Sequence, residues 1–186
     1  MTIEEETNRL FFSTLDKEAA KKTVTETLSE CDDGELFLEY AYSEHLVLDD
    51  GRIKSSGYNA SSGFGLRAIS AEAYAYALSN EISEHRLKEA ADSVRPIKLS
   101  PARSAYLPVI GKSKQLYTDQ NPLSLVSFEQ KVDLMGKIDA YARSKDPRVS
   151  QVSASLGGEW QVVKIIGAGG REASDIRPLV RFNVSI

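Results

Sequence analysis

The pair Asp50-Gly51 constrains this chain more than any other feature. It breaks a run in which side chains alternate. Over 35–49, Leu36, Leu38, Tyr40 and Tyr42 fall on one parity, and Glu35, Phe37, Glu39 and Ala41 on the other. Arg52 to Tyr58 then returns. Asp-Gly between two alternating runs supplies the positive φ values of a two-residue hairpin turn, so an antiparallel hairpin is predicted and a sheet has to grow around it. A polar turn is predicted over Asn59–Gly63. Gly65–Ile69 and Tyr74–Leu78 follow as strands joined near Ala71-Glu72. Late in the chain, Gly157-Gly158 and Ala168-Gly169-Gly170 read as turns between strands at 149–156, 159–166, 171–175 and 179–186.

Helical spacing appears where alternation stops. Leu10, Phe11, Leu15, Ala19, Ala20, Val24 and Leu28 recur every three to four positions. Ser13 or Asp16 can cap a helix that runs to about Cys31 and stops at Gly34. Residues 82–95 read as helix up to Pro96. Ser127 and Gln130 fit a capping box; it opens a helix with Val132, Leu134, Met135, Ile138, Tyr141 and Ala142 on its apolar face, ended by Pro147. Residues 96–126 hold four of the six prolines. They read as an irregular loop packed by Tyr106, Leu107, Val109, Ile110, Leu116 and Tyr117.

The expected fold is α+β, with twisted, largely antiparallel sheets flanked by helices. Residues 1–186 read as a single domain, with a helical start at 1–33, a first α/β unit at 34–95, the loop 96–126 and a second α/β unit at 127–186. Both units run helix, strands, glycine turn and basic residue (Arg52, Arg171), which suggests two copies of a helix-plus-hairpins unit, the second truncated.

Composition narrows the function classes. A length of 186 residues, 41% hydrophobic and 27% charged, is ordinary for a globular domain and unlike a disordered or collagen-like chain. No apolar run approaches the ~20 residues of a membrane helix, and no signal peptide opens the chain, so no membrane partner is expected. Cys31 is the single cysteine; with no internal disulfide possible, a reducing, cytoplasmic setting is expected. The net charge is −4. Residues 1–33 carry nine acids and four bases, a net of −5; residues 143–186 carry seven bases and four acids, a net of +3. A nucleic-acid partner is not expected, because duplex binding calls for a basic face.

The chemistry-bearing residues are sparse. His45 and His85 are the two histidines, short of the three or four ligands a zinc site takes. No Gly-x-Ser-x-Gly elbow and no phosphate-loop motif occurs. Arg67 and Arg181 interrupt apolar strands and need partners; Asp49, Asp50 and Asp175 are candidates. Tyr40, Tyr42, Tyr58, Tyr74 and Tyr76 gather in the first β region, which fits core and rim packing as well as a platform for a peptide. Taken alone, these residues describe an α+β domain without a complete catalytic constellation.

Several stretches together are more specific. They are Val47-Leu48-Asp49-Asp50-Gly51-Arg52-Ile53-Lys54, Gly57-Tyr58-Asn59, Gly63-Phe64-Gly65-Leu66-Arg67-Ala68-Ile69-Ser70, Pro122-Leu123, Lys131 to Ala142, Val152 to Leu156, and Asp175-Ile176-Arg177-Pro178-Leu179-Val180-Arg181. They resemble the N-terminal domain of the TldD/PmbA family, over residues 34–186. The family, whose members have carried the label "modulator of DNA gyrase", implies a cytoplasmic zinc metallopeptidase that acts on unfolded peptides as a dimer, with a TldE/PmbA-like paralogue or with itself. Its metal motif is His-Glu-x-x-x-His with a later cysteine. This sequence contains no such motif, so no catalytic or metal residue carries over. The resemblance implies zinc in the full-length protein and none held by this chain. The expected role is that of a non-catalytic domain that walls the substrate chamber and makes subunit contacts. Tyr40, Tyr42, His45, Tyr74 and Tyr76 are the expected substrate-lining residues. The alternative is a stand-alone module that binds peptide or protein without cleaving it.

Overall fold

The computed structural model describes residues 2–95 and 116–186. Most of the expected loop, with Tyr106, Leu107, Val109 and Ile110, therefore lies outside the described residues. Leu116 and Tyr117, expected to pack, are exposed.

The elements in chain order are α1 (Ile3–Phe11), α2 (Lys17–Leu28), β1 (Asp33–Asp49), β2 (Arg52–Ser70), β3 (Ala73–Ser79), α3 (Glu84–Val94), α4 (Phe128–Lys145), β4 (Ser153–Gly167) and β5 (Glu172–Ser185). The strands form one five-stranded antiparallel sheet in the order β3-β2-β1-β4-β5, and the fold is α+β as expected. β1 and β4 are neighbours, β2 and β5 each lie outside their own hairpin partner, and β3 continues beyond β2 without a counterpart on the other side. Asp50 and Gly51 both have positive φ, +50° and +72°, as the hairpin turn requires. The guanidinium of Arg143 on α4 bonds the Asp50 carboxylate, Asp139 at 3.1 Å and the Ser150 carbonyl at 3.1 Å, which ties the turn to the helix.

Compact packing cuts across the sequence halves. One compact unit takes α1, α2, α3 and β3. The other takes α4. Strands β1, β2, β4 and β5 pass from one to the other at Tyr40/Ala41, Ala60/Ser61, Gln161/Val162 and Ile176/Arg177. In the first unit Phe11, Leu15, Val24, Leu87, Ala91 and Val94 of the helical segments and Leu36, Leu38, Leu66, Ala68, Val162 and Ile166 of the strands are all buried. Each fully buried Val, Leu, Ile or Phe among them contributes about 1.5–3 kcal/mol. In the second unit Met135 of α4 packs on Leu46, Leu48 and Ala154, with Val132 and Leu156 at the margin. Side-chain caps set all four helix starts: Thr2 and Glu5 form a capping box on α1, Asp16 accepts from the Ala19 amide at 2.7 Å, Ser83 accepts from the Arg86 amide, and Ser127 and Gln130 form the expected capping box.

Two expected turns are strand instead. Asn59–Gly63 lies inside β2 and Gly157-Gly158 inside β4. The first stretch is polar because β2 is exposed there, and main-chain bonds to a neighbouring strand hold polar residues as well as apolar ones; polarity marked exposure, not a change of direction. The second pair provides space. Neither glycine has positive φ, and a side chain at Gly158 would collide with Leu123 and come within 3.2 Å of the Leu179 carbonyl. Glycine in a strand often marks such a close approach. The turn at Ala168–Gly170 is present, with φ of +75° and +78° at Gly169 and Gly170.

Candidate functional site

Among the described residues, each compact unit carries a groove with aromatic walls. In the first unit, β3 pairs with the end of β2 so that Tyr76 faces Arg67, Tyr74 faces Ile69 and Leu78 faces Gly65. Residues paired across an antiparallel ladder share a face. The buried Leu66 and Ala68 point to the helix layer, so Tyr74, Tyr76 and Leu78 stand on the opposite, open face; they are 77%, 57% and 71% exposed. Gly65 makes the arrangement possible, because any side chain there would run into the Tyr76 ring and hydroxyl. Phe37 and Glu39 of β1 complete a furrow of about 290 Å³, closed at its end by Ser79 and Asn80. Arg67 finds its partner here: Glu35, at 3.1 Å. That corrects the expected Asp49, Asp50 or Asp175, and the reason is register, which puts the carboxylate of the neighbouring strand beside the guanidinium. Arg181 is exposed on β5 and bonds the Asn183 amide oxygen at 3.4 Å.

In the second unit a groove of about 490 Å³ is lined by Tyr42, Glu44, Tyr58, Leu123, Phe128 and Lys131, with Ser56 and Gly57 on its floor. Its charged centre is an ion pair. Lys131 Nζ donates to both Glu44 oxygens, at 2.8 and 2.9 Å, and to the Leu123 carbonyl at 2.7 Å. The lysine side chain is only 9% exposed. The capped first turn of α4 places Lys131. The 3₁₀ turn Pro122–Ser124, capped by the Asn121 side chain, aims the Leu123 carbonyl at it.

The first unit buries a lysine too. Lys164 in β4 is 2% exposed and reaches Glu172 at 2.8 Å, the Ser174 hydroxyl at 3.2 Å and Glu4 at 3.8 Å. Glu172 also meets Lys21 at 2.6 Å and Lys17 at 3.7 Å. Burial alone would push the Glu172 carboxyl up, but hydrogen bonds from Lys164 and Lys21 and the charges of Lys164 and Lys17 outweigh it, and the pKa falls to about 2.

The five expected lining residues are distributed among these surroundings. Tyr76 lines the first furrow. Tyr74 stands exposed two positions along the same face of β3. Tyr42 lines the second groove. Tyr40 is half-buried on the parity of Leu36 and Leu38, and the first furrow takes its aromatic wall on β1 from Phe37 instead. His45 is exposed, its ring lying over Gly57, where a Cβ would come within 2.7 Å of Cε1. Sequence reasoning missed Phe37, Glu44, Phe128 and Lys131. The alternation of β1 carried a signal for Glu44, since it shares the parity of Tyr42, Leu46 and Leu48.

Among the described residues, no three His, Cys, Asp or Glu side chains come together in a way that could hold a metal ion. His85 lies 3.5 Å from Glu89 on α3, and the His45 ring lies over Gly57, apart from His85 in the other compact unit. These surroundings do not fit a zinc centre, and no chemical step is derived through one. No described helix is long and apolar enough to cross a membrane.

Comparison with known proteins places the chain. The family pattern described as PmbA/TldA metallopeptidase domain 1 matches residues 34–95, and the one described as the central domain of the same metallopeptidases matches residues 121–186. The metalloprotease TldD homologue of Haemophilus influenzae is 33% identical over 162 residues, covering 83% of this chain and 33% of its own length. That of Buchnera aphidicola from Schizaphis graminum is 31% identical over 156 residues, covering 83% and 32%. The chain thus spans about a third of the length of these curated relatives. Among solved structures, a protein of Bacteroides thetaiotaomicron described as a modulator of DNA gyrase superposes with a TM-score of 0.67 at 13% identity, over 91% of this chain and 40% of that one. TldE from Thermococcus kodakarensis superposes at 0.60 with 12% identity, over 89% and 42%. At those identities the structures speak for the fold, and the sequence matches speak for descent. Two successive domains of one family, matched in order along the chain, make it a member of the TldD/PmbA metallopeptidase family.

Proposed function

We propose that this chain is the non-catalytic, N-terminal part of a cytoplasmic TldD-type zinc metallopeptidase, where it walls the chamber that receives unfolded peptide and contributes contacts between subunits. Zinc belongs to the full-length protein and is held by residues other than those described. The subunit partner is a TldE/PmbA-like paralogue or a second copy. The observation that supports the reading best is the open sheet face where Tyr74, Tyr76 and Leu78 stay exposed and Tyr76 and Leu78 line a furrow with the half-buried Phe37 and Gly65. Aromatic rings give an extended peptide large, sequence-tolerant contact area. Tyr42 contributes to a separate lining, that of the groove in the second unit.

The test is equilibrium binding of fluorescent, unstructured peptides of mixed sequence, compared with Tyr76→Ala and Phe37→Ala variants. Binding weakened about tenfold by either substitution, the loss of about 1.4 kcal/mol of aromatic contact, is the expected result. Peptide binding that neither substitution changes would remove this face from the chamber.

A further inference from the structure

The groove of the second unit keeps acceptors that its own described residues do not use up. All of its lining residues belong to that one compact unit. An ionised carboxylate has about four lone-pair positions, and Lys131 takes one on each Glu44 oxygen. The lysine in turn has spent its donors on Glu44 and the Leu123 carbonyl. What the pair still offers a ligand is therefore acceptance, not donation. It comes from the more open partner, since the Glu44 side chain is 17% exposed against 9% for Lys131. The aromatic walls carry the same preference. Ring faces are the negative part of the aromatic quadrupole and attract cations, and Tyr42, Tyr58 and Phe128 line the groove together with Glu44. The positive end of α4 would favour an anion, but it is already answered. Ser127 and Gln130 close the capping box, and the Glu129 carboxyl is held below the usual range by hydrogen bonds from its own backbone amide and the Ser127 side chain. Between Glu44, Glu129 and Lys131 the balance of charge is negative.

We propose that this groove binds the lysine side chain of an extended peptide, the ammonium donating to Glu44 against the faces of Tyr42, Tyr58 and Phe128. Lysine has the two matching parts. Its hydrocarbon stem covers apolar surface while its head stays polar, and Leu123 and Val126 supply that surface. Geometry favours lysine over arginine. Lys131 Nζ lies 2.8 and 2.9 Å from the two Glu44 oxygens. A nitrogen so nearly equidistant occupies the place in front of the carboxylate where the fork of a guanidinium would pair with both oxygens. The lone pairs that remain lie on the outer sides of the oxygens and suit a single donor, the compact point charge of an ammonium. Lys131 repels the incoming head, but from across the carboxylate; the nearer oxygen sets the sign, because the interaction falls with distance. The choice of a peptide as carrier rests on the reading of this chain as a chamber wall. The choice of lysine rests on the groove alone.

Nuclear magnetic resonance titration of the 186-residue chain with blocked amino acids tests it. The probes are Nα-acetyl-lysine methylamide, the norleucine counterpart, which keeps the stem and lacks the ammonium, and the arginine counterpart. Saturable shifts at the amides of Tyr58, Phe128 and Lys131 are expected with the lysine probe. Norleucine is expected to bind about tenfold more weakly or worse, and arginine more weakly than lysine. Tyr58→Leu with Phe128→Leu keeps apolar area and removes two ring faces. This double variant is expected to weaken the lysine probe about tenfold and to leave norleucine within about twofold. Tyr58 is 79% exposed, so Tyr58→Leu alone gives a folded chain with the same direction of change. Norleucine binding as tightly as lysine, arginine binding more tightly, the absence of a saturable shift, or a lysine affinity that neither variant changes would each overturn the proposal. Failure of the chamber reading looks different: the lysine probe still binds this groove, while mixed-sequence peptides ignore Tyr76→Ala and Phe37→Ala, and the lysine site stands.

Discussion

Among the described residues each compact unit buries one lysine, and the two are held in opposite ways. Lys131 has a closed set of partners: both Glu44 oxygens and the Leu123 carbonyl, all within 2.9 Å, fill its three donor positions. Lys164 shares its carboxylates. Glu172 serves Lys17 and Lys21 as well, and Glu4 is a more distant, largely exposed partner at 3.8 Å. Removing an ammonium from water costs several kcal/mol, and only good geometry returns it. The second unit meets that cost with one exclusive pair. The first spreads it over a network in which several partners can be exchanged.

The largest expected effect follows from exclusivity. Glu44→Ala leaves Lys131 buried with a single carbonyl as its partner among the described residues, and breaking a buried pair from one side costs about 3–5 kcal/mol. Chemical denaturation of the chain reads this directly. A loss below about 1 kcal/mol, the range of exposed pairs, would mean that water reaches Lys131 and that the contrast between the two sites is not real. Glu172→Gln comes next, at about 1–2 kcal/mol, because Lys164 keeps Ser174 and Glu4 and the glutamine still accepts a hydrogen bond. A cost equal to that of Glu44→Ala would show that the network is no more forgiving than the pair. Lys164→Met sharpens the comparison from the other side. Glu172 keeps Lys17 and Lys21, and an apolar side chain suits the buried position between Val163 and Ile165, so the change is expected to stay within about 1 kcal/mol of wild type in either direction.

The sequence revealed the strands of these sites more readily than their charges. Asp50-Gly51 and the alternation over 35–49 located the β1–β2 hairpin because both depend on local φ values and on a period of two, which neighbouring residues state by themselves. Arg67 was recognised as a charge inside an apolar strand that needs a partner, yet that partner, Glu35, depends on the register between β1 and β2, which no local pattern states. Gly158 read as a turn because a glycine looks the same whether it supplies positive φ or room; only the position of Leu123 tells the two apart. Lys164 sits in Val162-Val163-Lys164-Ile165-Ile166, where its apolar neighbours were the sole hint of burial. Lys131 gave none, because its burial is produced by a 3₁₀ turn brought against α4. Tyr42 and Tyr76 face grooves for reasons of parity and a missing Cβ at Gly65, while Tyr40, on the parity of the helix-covered core residues, does not reach the first furrow.

The smallest effect is one of pH, and it separates the network from the pair by its slope. The Glu172 carboxyl titrates at about 2 in the folded chain against an ordinary value of 4.5. A depressed carboxylate binds its proton more weakly folded than unfolded, so its contribution is complete above about pH 4.5 and is lost as pH falls toward about 2. Other carboxylates titrate in the same window, among them Asp49, held low by hydrogen bonds from Ser153 and Gln151. The wild-type slope alone therefore assigns nothing, and the difference between variants does. Stability followed from pH 5 to pH 2 is expected to fall less steeply in Glu172→Gln than in wild type, because the titrating group is gone. Lys164→Met is expected to fall between them, since Lys17 and Lys21 still hold the carboxyl down when the buried lysine does not. If Lys164→Met instead matches Glu172→Gln, the buried lysine alone sets the Glu172 pKa. The first unit then contains an exclusive pair like that of Lys131 and Glu44, surrounded by two lysines that contribute little.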